Sequence, residues 1–438
     1  TIISMLITSF YNMADTFFVG RLGTSATAAV GVAFPVMAVI QALGFFFFHG
    51  SGNSISRKLG AQKNDEAGEL AATGFFSGLF LGVLVLVLGL LFLTPLSRIL
   101  GSTDTILPYT KEYLRIILVG APWMTAQFVL NNQIRFQGNA FYAMIGVGTG
   151  AVLNIILDPI FILPQGLDMG AAGAGCATFL SNCVACIYFF ILLFVRRGKT
   201  FVCINPRLFS FKRSVVLGVL GVGLPASIQN LLNVTGMTIL NNFTASFGAD
   251  AVAAMGITKK VDMVPMNVAM GLSQGIMPLV SYNYSSGNIK RCRDTITMAA
   301  KGTLIFLSAI ALGYYFGAAG VVGLFMKNES IVAYGTKFLR AMCIGLPFLS
   351  MDFMAVGVFQ AVGMGKEALF FAITRKLLLE IPLLYLLNWL MPLYGLPLAQ
   401  TISEVVMATM AVIFLVRLFK RLERDFTHPK YQTESPTE

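Results

Sequence analysis

The chain has 438 residues, of which 56% are hydrophobic and only 12% charged, against roughly a quarter charged in an ordinary soluble domain. At a mean hydropathy of +0.77, no single aqueous core could bury this much apolar sequence, so lipid must solvate much of it. The net charge of +11 would suggest nucleic acid in a soluble protein, but the basic residues lie in short loops between apolar runs, which is a topology signal and not a polyanion-binding surface.

Runs of about 20 apolar residues can each cross a bilayer. They fall near 1–18, 27–48, 69–93, 113–136, 141–163, 173–195, 213–246, 251–272, 294–316, 331–361, 367–390 and 396–418. The first opens inside an apolar run at Thr1, so this helix is expected to be truncated. The seventh and tenth runs are long enough that part of each should lie outside the hydrocarbon. Lys and Arg gather after the even-numbered spans: Arg57, Lys58 and Lys63; Arg135; Arg196 to Arg213; Lys290, Arg291 and Arg293; Lys366; Arg417 to Arg424. Both termini are therefore expected to be cytoplasmic.

An internal repeat runs through the spans. Gly23 and Gly248 are 225 positions apart, and the same offset pairs Ala28 with Ala253, Gly31 with Gly256, Gly50 with Gly275, Arg115 with Arg340, Pro122 with Pro347, Gly138 with Gly363 and Gly170 with Gly395. Six spans per copy is an even number, so both copies enter the membrane the same way. The expected fold is all-α: twelve transmembrane helices in two parallel-oriented six-helix bundles, related by a pseudo-two-fold along the membrane normal. The expected organisation is an N-terminal bundle over 1–195, a cytoplasmic linker at 196–212, a C-terminal bundle over 213–418 and a cytoplasmic polar tail at 419–438, disordered from Asp425.

Ionisable residues inside apolar spans are costly and point to function. Asp15 lies in the first span. Asn154 and Asp158 lie in the fifth, four residues apart and so on one helix face, with Pro159 expected to loosen the helix beside them. Two acids and a carboxamide facing one interior suit a proton or a small hard cation; the alternative is that Asp15 and Asp158 simply cap helix ends. Thr178 could add an oxygen or bond its own helix. The counterparts of Asp15, Asn154 and Asp158 are Leu240, Leu379 and Leu383, which confines this site to the first copy. In the second copy Asp262, Asp352, Glu380 and Glu404 are also intramembrane, with Lys259, Lys260, Arg375 and Lys376 as ion-pair partners for some of them; Asp352 is open between cavity lining and core. Further candidates for a substrate cavity are Asn12, Met37, Gln41, Gln229, Asn233 and Asp352.

Prolines 35, 122, 225, 265, 278, 347 and 382 interrupt the spans, as suits mobile helices. His49 is expected at an interface. Cys183 and Cys186 form a C-x-x-C without the soluble context of a redox motif. No P-loop, nucleophile elbow or metal-ligand cluster stands in the sequence, so no enzyme activity, cofactor or bound metal is expected beyond a coupling Na+.

In YNMADTFFVGRLGTSATAAVG (11–31), GSGNSISRKLGAQ (50–62), LNIILDPIFI (153–162), GAAGAGCATFLS (170–181) and FGADAVAAMGI (247–257), the sequence resembles the multidrug and toxic compound extrusion family, on its bacterial DinF-like and MepA-like branch. The resemblance implies a secondary active exporter that antiports organic, often cationic, compounds against H+ or Na+ by alternating access. It implies that Asp15, Asn154 and Asp158 form a cation site. Some relatives use an acid early in the seventh span, where this chain has Gln229, Asn230 and Asn233. The implied setting is a bacterial plasma membrane, with small hydrophobic or cationic organic molecules and lipid as partners, no nucleic acid, and a monomer. Competing readings are a lipid-linked precursor flippase, which would want a cationic cavity, and a membrane-embedded thiol enzyme using Cys183 and Cys186.

Overall fold

In the computed structural model the chain folds almost entirely as helix. It describes residues 2–22, 24–325 and 328–426, the side chains of Asn12, Thr16, Thr24, Ser25, Thr27, Ala28, Ala249, Asp425 and Phe426 excepted. The polar tail beyond residue 426 lies outside the described residues.

The long helices are α1 (Ile2–Val19), α2 (Thr24–Gly60), α3 (Asn64–Leu91), α4 (Leu107–Phe136), α5 (Ala140–Ile162), α6 (Gly170–Val195), α7 (Arg213–Ala245), α8 (Ala249–Ser285) and α9 (Ile289–Phe325). Then come α10a (Glu329–Cys343) and α10b (Leu346–Val362), α11a (Gly365–Ile373) and α11b (Ile381–Leu390), and α12 (Gly395–Phe426). A short helix, Leu93–Ile99, follows α3. No strand occurs among the described residues.

Ten of these helices are long and apolar enough to cross a membrane, and α10a with α10b makes an eleventh span bent by 48°. The bend falls at Gly345, just before Pro347, which cannot donate into the preceding turn. The twelfth span is α11, where a π-helical turn, Thr374–Glu380, joins α11a to α11b without a gap. The expected twelve spans are therefore all present.

Local chemistry explains several ends. Asp65 and Glu66 sit in the first turn of α3, where the positive end of the helix dipole favours acids. The Asn328 side chain accepts from the Ser330 N–H and caps α10a. Gly363, at φ 85°, closes α10b in the left-handed region, which glycine enters without strain.

The repeat is written into the backbone. α3 and α9 begin 225 residues apart, as do α5 and α11a, and α6 and α12. Positive φ recurs at the same offset: Gln62 with Gly287, Gly138 with Gly363, and Asp168 with Leu393.

Residues 3–59 and 63–231 form one compact unit; residues 60–62 and 232–438 form a second. In the first, Phe47, Ile55, Leu70, Phe75, Val129, Ile134 and Phe189 anchor one apolar cluster, and Val36, Ile40, Tyr113, Leu114, Ile117 and Leu118 another. The loop before α7 belongs to this unit: Lys212 Nζ reaches Glu69 Oε1 at 2.6 Å, and that carboxylate raises the Lys212 ammonium above the ordinary lysine range. In the second unit Leu240, Met255, Phe338, Leu384, Leu393 and Leu396 form one apolar cluster.

His49 is buried among neighbouring side chains. It is 5% exposed, stacked 5.5 Å from the Phe45 ring and edge-on 4.6 Å from Phe48. The aromatic run that precedes it supplies its own cover. All six cysteines are unpaired as thiols.

Candidate functional site

Small residues bring α5 and α6 together. A Cβ at Gly173 would lie 2.5 Å from the Phe161 carbonyl oxygen, and one at Gly150 would lie 3.2 Å from Ala185 Cβ and Ser181 O. Where side chains vanish, helix backbones approach closely. That approach sets Asn154 and Asp158 of α5 against Thr178 of α6.

Asn154, Asp158 and Thr178 are 1%, 0% and 3% exposed. The Asn154 carboxamide satisfies both neighbours in only one orientation. Its nitrogen then donates to Asp158 Oδ2 at 3.0 Å and its oxygen accepts from the Thr178 backbone N–H at 3.2 Å. Turned over, its nitrogen has only a 3.5 Å contact with Thr178 Oγ1, and its oxygen faces a carboxylate. The helix continues through Pro159 to Ile162, and Leu163 N–H donates to the Pro159 carbonyl at 3.3 Å. The helix is unbroken at Pro159, so Asp158 sits inside it rather than capping it.

The other oxygen, Asp158 Oδ1, is buried with no hydrogen-bond partner. A buried carboxylate oxygen left unbonded is expensive. Asp15 of α1, half-buried, lies near enough for the two carboxylates to repel. Asp15, Asn154, Asp158 and Thr178 thus meet inside the first unit.

Two further residues complete the group. Tyr11, one turn before Asp15 on α1, hydrogen-bonds with Thr178, and Tyr113 of α4 is buried beside Tyr11, Asp15 and Asp158. Sequence reading missed both. Their signal was the repeat: the counterparts are Gly236 and Phe338, so both hydroxyls belong to the first copy alone. The assembled set offers carboxylate, carboxamide, hydroxyl and phenol oxygens, which suit a proton or a hard monovalent cation.

The remaining candidates lie elsewhere. Met37 packs against the cluster containing Tyr113, and Gln41 is half-buried one turn on. Gln229 and Asn233 are half-buried on α7, the former in the first unit and the latter in the second. Asp352 is buried in α10b and paired with Arg375. The Asn12 side chain lies outside the described residues.

Comparison with known proteins places this geometry in context. The MatE family model matches residues 1–160 and 225–386, two segments with nearly the spacing of the repeat. The multidrug export protein MepA of Staphylococcus haemolyticus (strain JCSC1435) is 32% identical over 97% of this chain and 92% of its own length. Its namesake from Staphylococcus aureus (strain MRSA252) is 31% identical over 97% and 93%. Among solved structures, a multidrug resistance MATE family transporter of the MOP superfamily in its outward-facing conformation aligns with TM-score 0.91 at 28% identity, over 97% of this chain and 94% of that one. A MOP superfamily transporter from Pyrococcus furiosus Vc1 (DSM3638), described as having a binding pocket of reverse polarity, aligns with TM-score 0.90 at 28% identity, over 96% and 94%.

Proposed function

The chain belongs to the MatE family, and on that premise we propose that it is a secondary active multidrug exporter that antiports organic, often cationic, compounds against H+ or Na+ by alternating access. The observation that carries this reading is the buried, unbonded Asp158 Oδ1, beside Asn154 and within repulsion range of Asp15.

Two carboxylates this close disfavour their joint ionisation. One proton, or one Na+ held by the same oxygens, relieves the repulsion and fills the vacant bonding position of Asp158. The cation therefore favours conformations in which α1 and α5 stay together. A conformation that parts them loses that advantage, and this differential affinity is all that coupling requires. With Asp15 and Asp158 deprotonated, the same pocket favours an organic cation, so drug and ion would exchange.

The setting that accompanies the reading is a bacterial plasma membrane, the chain a monomer with both termini in the cytoplasm. The clustering of Lys and Arg after the even-numbered spans supports that orientation.

The test is efflux of a cationic dye in inverted vesicles, with the pH and sodium gradients imposed separately. The wild-type chain is expected to respond to one of them, and Asp15→Asn and Asp158→Asn to lose most of that response. Coupled efflux at wild-type rates in both variants would refute the assignment of coupling to this site.

A further inference from the structure

The second unit holds a separate ionic cluster whose charges do not balance. Lys259 and Asp262 of α8, Asp352 of α10b, Arg375, Lys376 and Glu380 of the π turn in α11, and Glu404 of α12 form one connected electrostatic network. Fully ionised, these are three cations against four anions. The neutral titratable groups nearby are Tyr314 of α9 and Cys343 at the end of α10a, both on the Asp262 side.

The surplus can be located. Lys376 Nζ pairs with Glu380 Oε2 at 2.6 Å. Lys259 donates to Gln400 Oε1, and both bear on Asp262. Arg375, however, is shared: Nη1 donates to Asp352 Oδ2 at 3.1 Å and Nη2 to Glu404 Oε1 at 2.9 Å. One guanidinium thus faces two carboxylates, each 1% exposed. The Phe353 ring lies 5.2 Å from the guanidinium carbon. The outer oxygens, Asp352 Oδ1 and Glu404 Oε2, are buried and bonded to nothing.

We propose that Asp352 and Glu404 together bind one proton, making a second proton site, distinct from the Asp15 and Asp158 site, with Arg375 as its fixed counter-ion. One cation neutralises one carboxylate. A second anion against the same guanidinium would stand uncompensated in the interior, which is strongly unfavourable. A proton on either outer oxygen cancels it and supplies a hydrogen-bond donor where none exists. Because both acids address one arginine, the proton belongs to the pair, not to either residue. π turns recur at functional sites, and this one carries Arg375 within the membrane span. The site does not depend on antiport: it is a property of the resting protein.

The test uses the purified full chain in nanodiscs, with Asp15→Asn and Asp158→Asn introduced to silence the first site. An infrared pH titration is expected to show the carbonyl stretch of a neutral carboxylic acid that disappears as the pH is raised. Glu404→Gln or Asp352→Asn should each remove it, with about one proton fewer released per chain. Since Gln and Asn mimic the protonated acid, either single variant should melt near the background protein. The double variant, which strands Arg375, should melt far below both. The folded pair keeps a proton that the unfolded chain has released, so stability should fall as pH rises through the release step, and Glu404→Gln should flatten that fall. The proposal is overturned if the band and the proton count are unchanged in both folded single variants. A sodium-dependent melting temperature with no neutral-carboxyl band would overturn it equally, assigning the pair to a metal cation.

Discussion

Asn154 shows how one amide can govern a buried acid. Its nitrogen gives Asp158 Oδ2 a 3.0 Å hydrogen bond, while the Thr178 N–H fixes its oxygen and so its orientation. Asn154→Leu keeps the branched shape but strips Asp158 of this donor, leaving both carboxylate oxygens unbonded. Thermal unfolding in detergent is expected to register a loss of about 1–3 kcal/mol, the usual cost of orphaning a buried polar group. Asn154→Leu combined with Asp158→Leu should recover much of it, because removing both partners is nearly neutral. Strict additivity of the two changes would mean that they do not interact. At this scale Asp15, Asn154 and Asp158 were legible in the sequence because polar residues stand out in an apolar run. Tyr113 was not, since a tyrosine among leucines and isoleucines looks like ordinary packing. The Asp352 partner was equally hidden: Arg375 lies 23 residues away on another helix, and only the fold brings them together.

Among the elements, the α5 and α6 pair carries the site because glycine lets the backbones meet. A Cβ at Gly173 would stand 2.5 Å from the Phe161 oxygen and 2.7 Å from its carbonyl carbon, neither of which can swing aside as a flexible side chain could. Gly173→Ala should therefore spread the helices near Asp158, lowering stability by about 1–3 kcal/mol as overpacking does and weakening cation-coupled efflux with it. Melting and efflux measured on the same preparation check this; unaltered coupling in a destabilised protein would separate packing from site geometry. The helix crossings also show how the two copies diverged. In the first unit the Asn132 side chain of α4 donates to the Phe48 carbonyl of α2. At the equivalent crossing in the second, Gly357 replaces Asn132 and Ser273 replaces Phe48; Ser273 Oγ donates the other way, to Phe353 O at 2.7 Å. The spans themselves were readable from hydropathy, and so was their number. The bend between α10a and α10b and the π turn of α11 were not, because their equivalents, α4 and α5, are unbroken helices carrying prolines of their own.

Across the whole molecule the repeat keeps the frame and exchanges the chemistry. Asp15, Tyr113 and Asp158 correspond to Leu240, Phe338 and Leu383, and those three pack in one apolar cluster of the second unit. Conversely Asp352, Arg375 and Glu404 correspond to Gln127, Gly150 and Phe179. Neither copy carries the other's ionic groups: apart from Gln127, which is polar but uncharged, the counterparts are apolar. A polar pair cannot simply be moved from one copy to the other either. Leu379→Asn with Leu383→Asp would place the amide and acid of the first site at their equivalent positions, but among Leu240, Phe338 and Leu384, with a glycine where Tyr11 stands and no acid opposite. A carboxylate there would have the transplanted amide but no second acid to share a proton and no phenol beside it, and its desolvation should cost about 1–3 kcal/mol or more. Introduced into Asp158→Asn, the transplant is expected to lower the melting temperature and leave cation-coupled dye efflux unrestored. Restored efflux would show that the duplicated frame alone suffices for coupling. Its absence, in a chain that still folds, would locate coupling in the full set of groups around Asp158: the phenols of Tyr11 and Tyr113, the hydroxyl of Thr178 and the second carboxylate of Asp15.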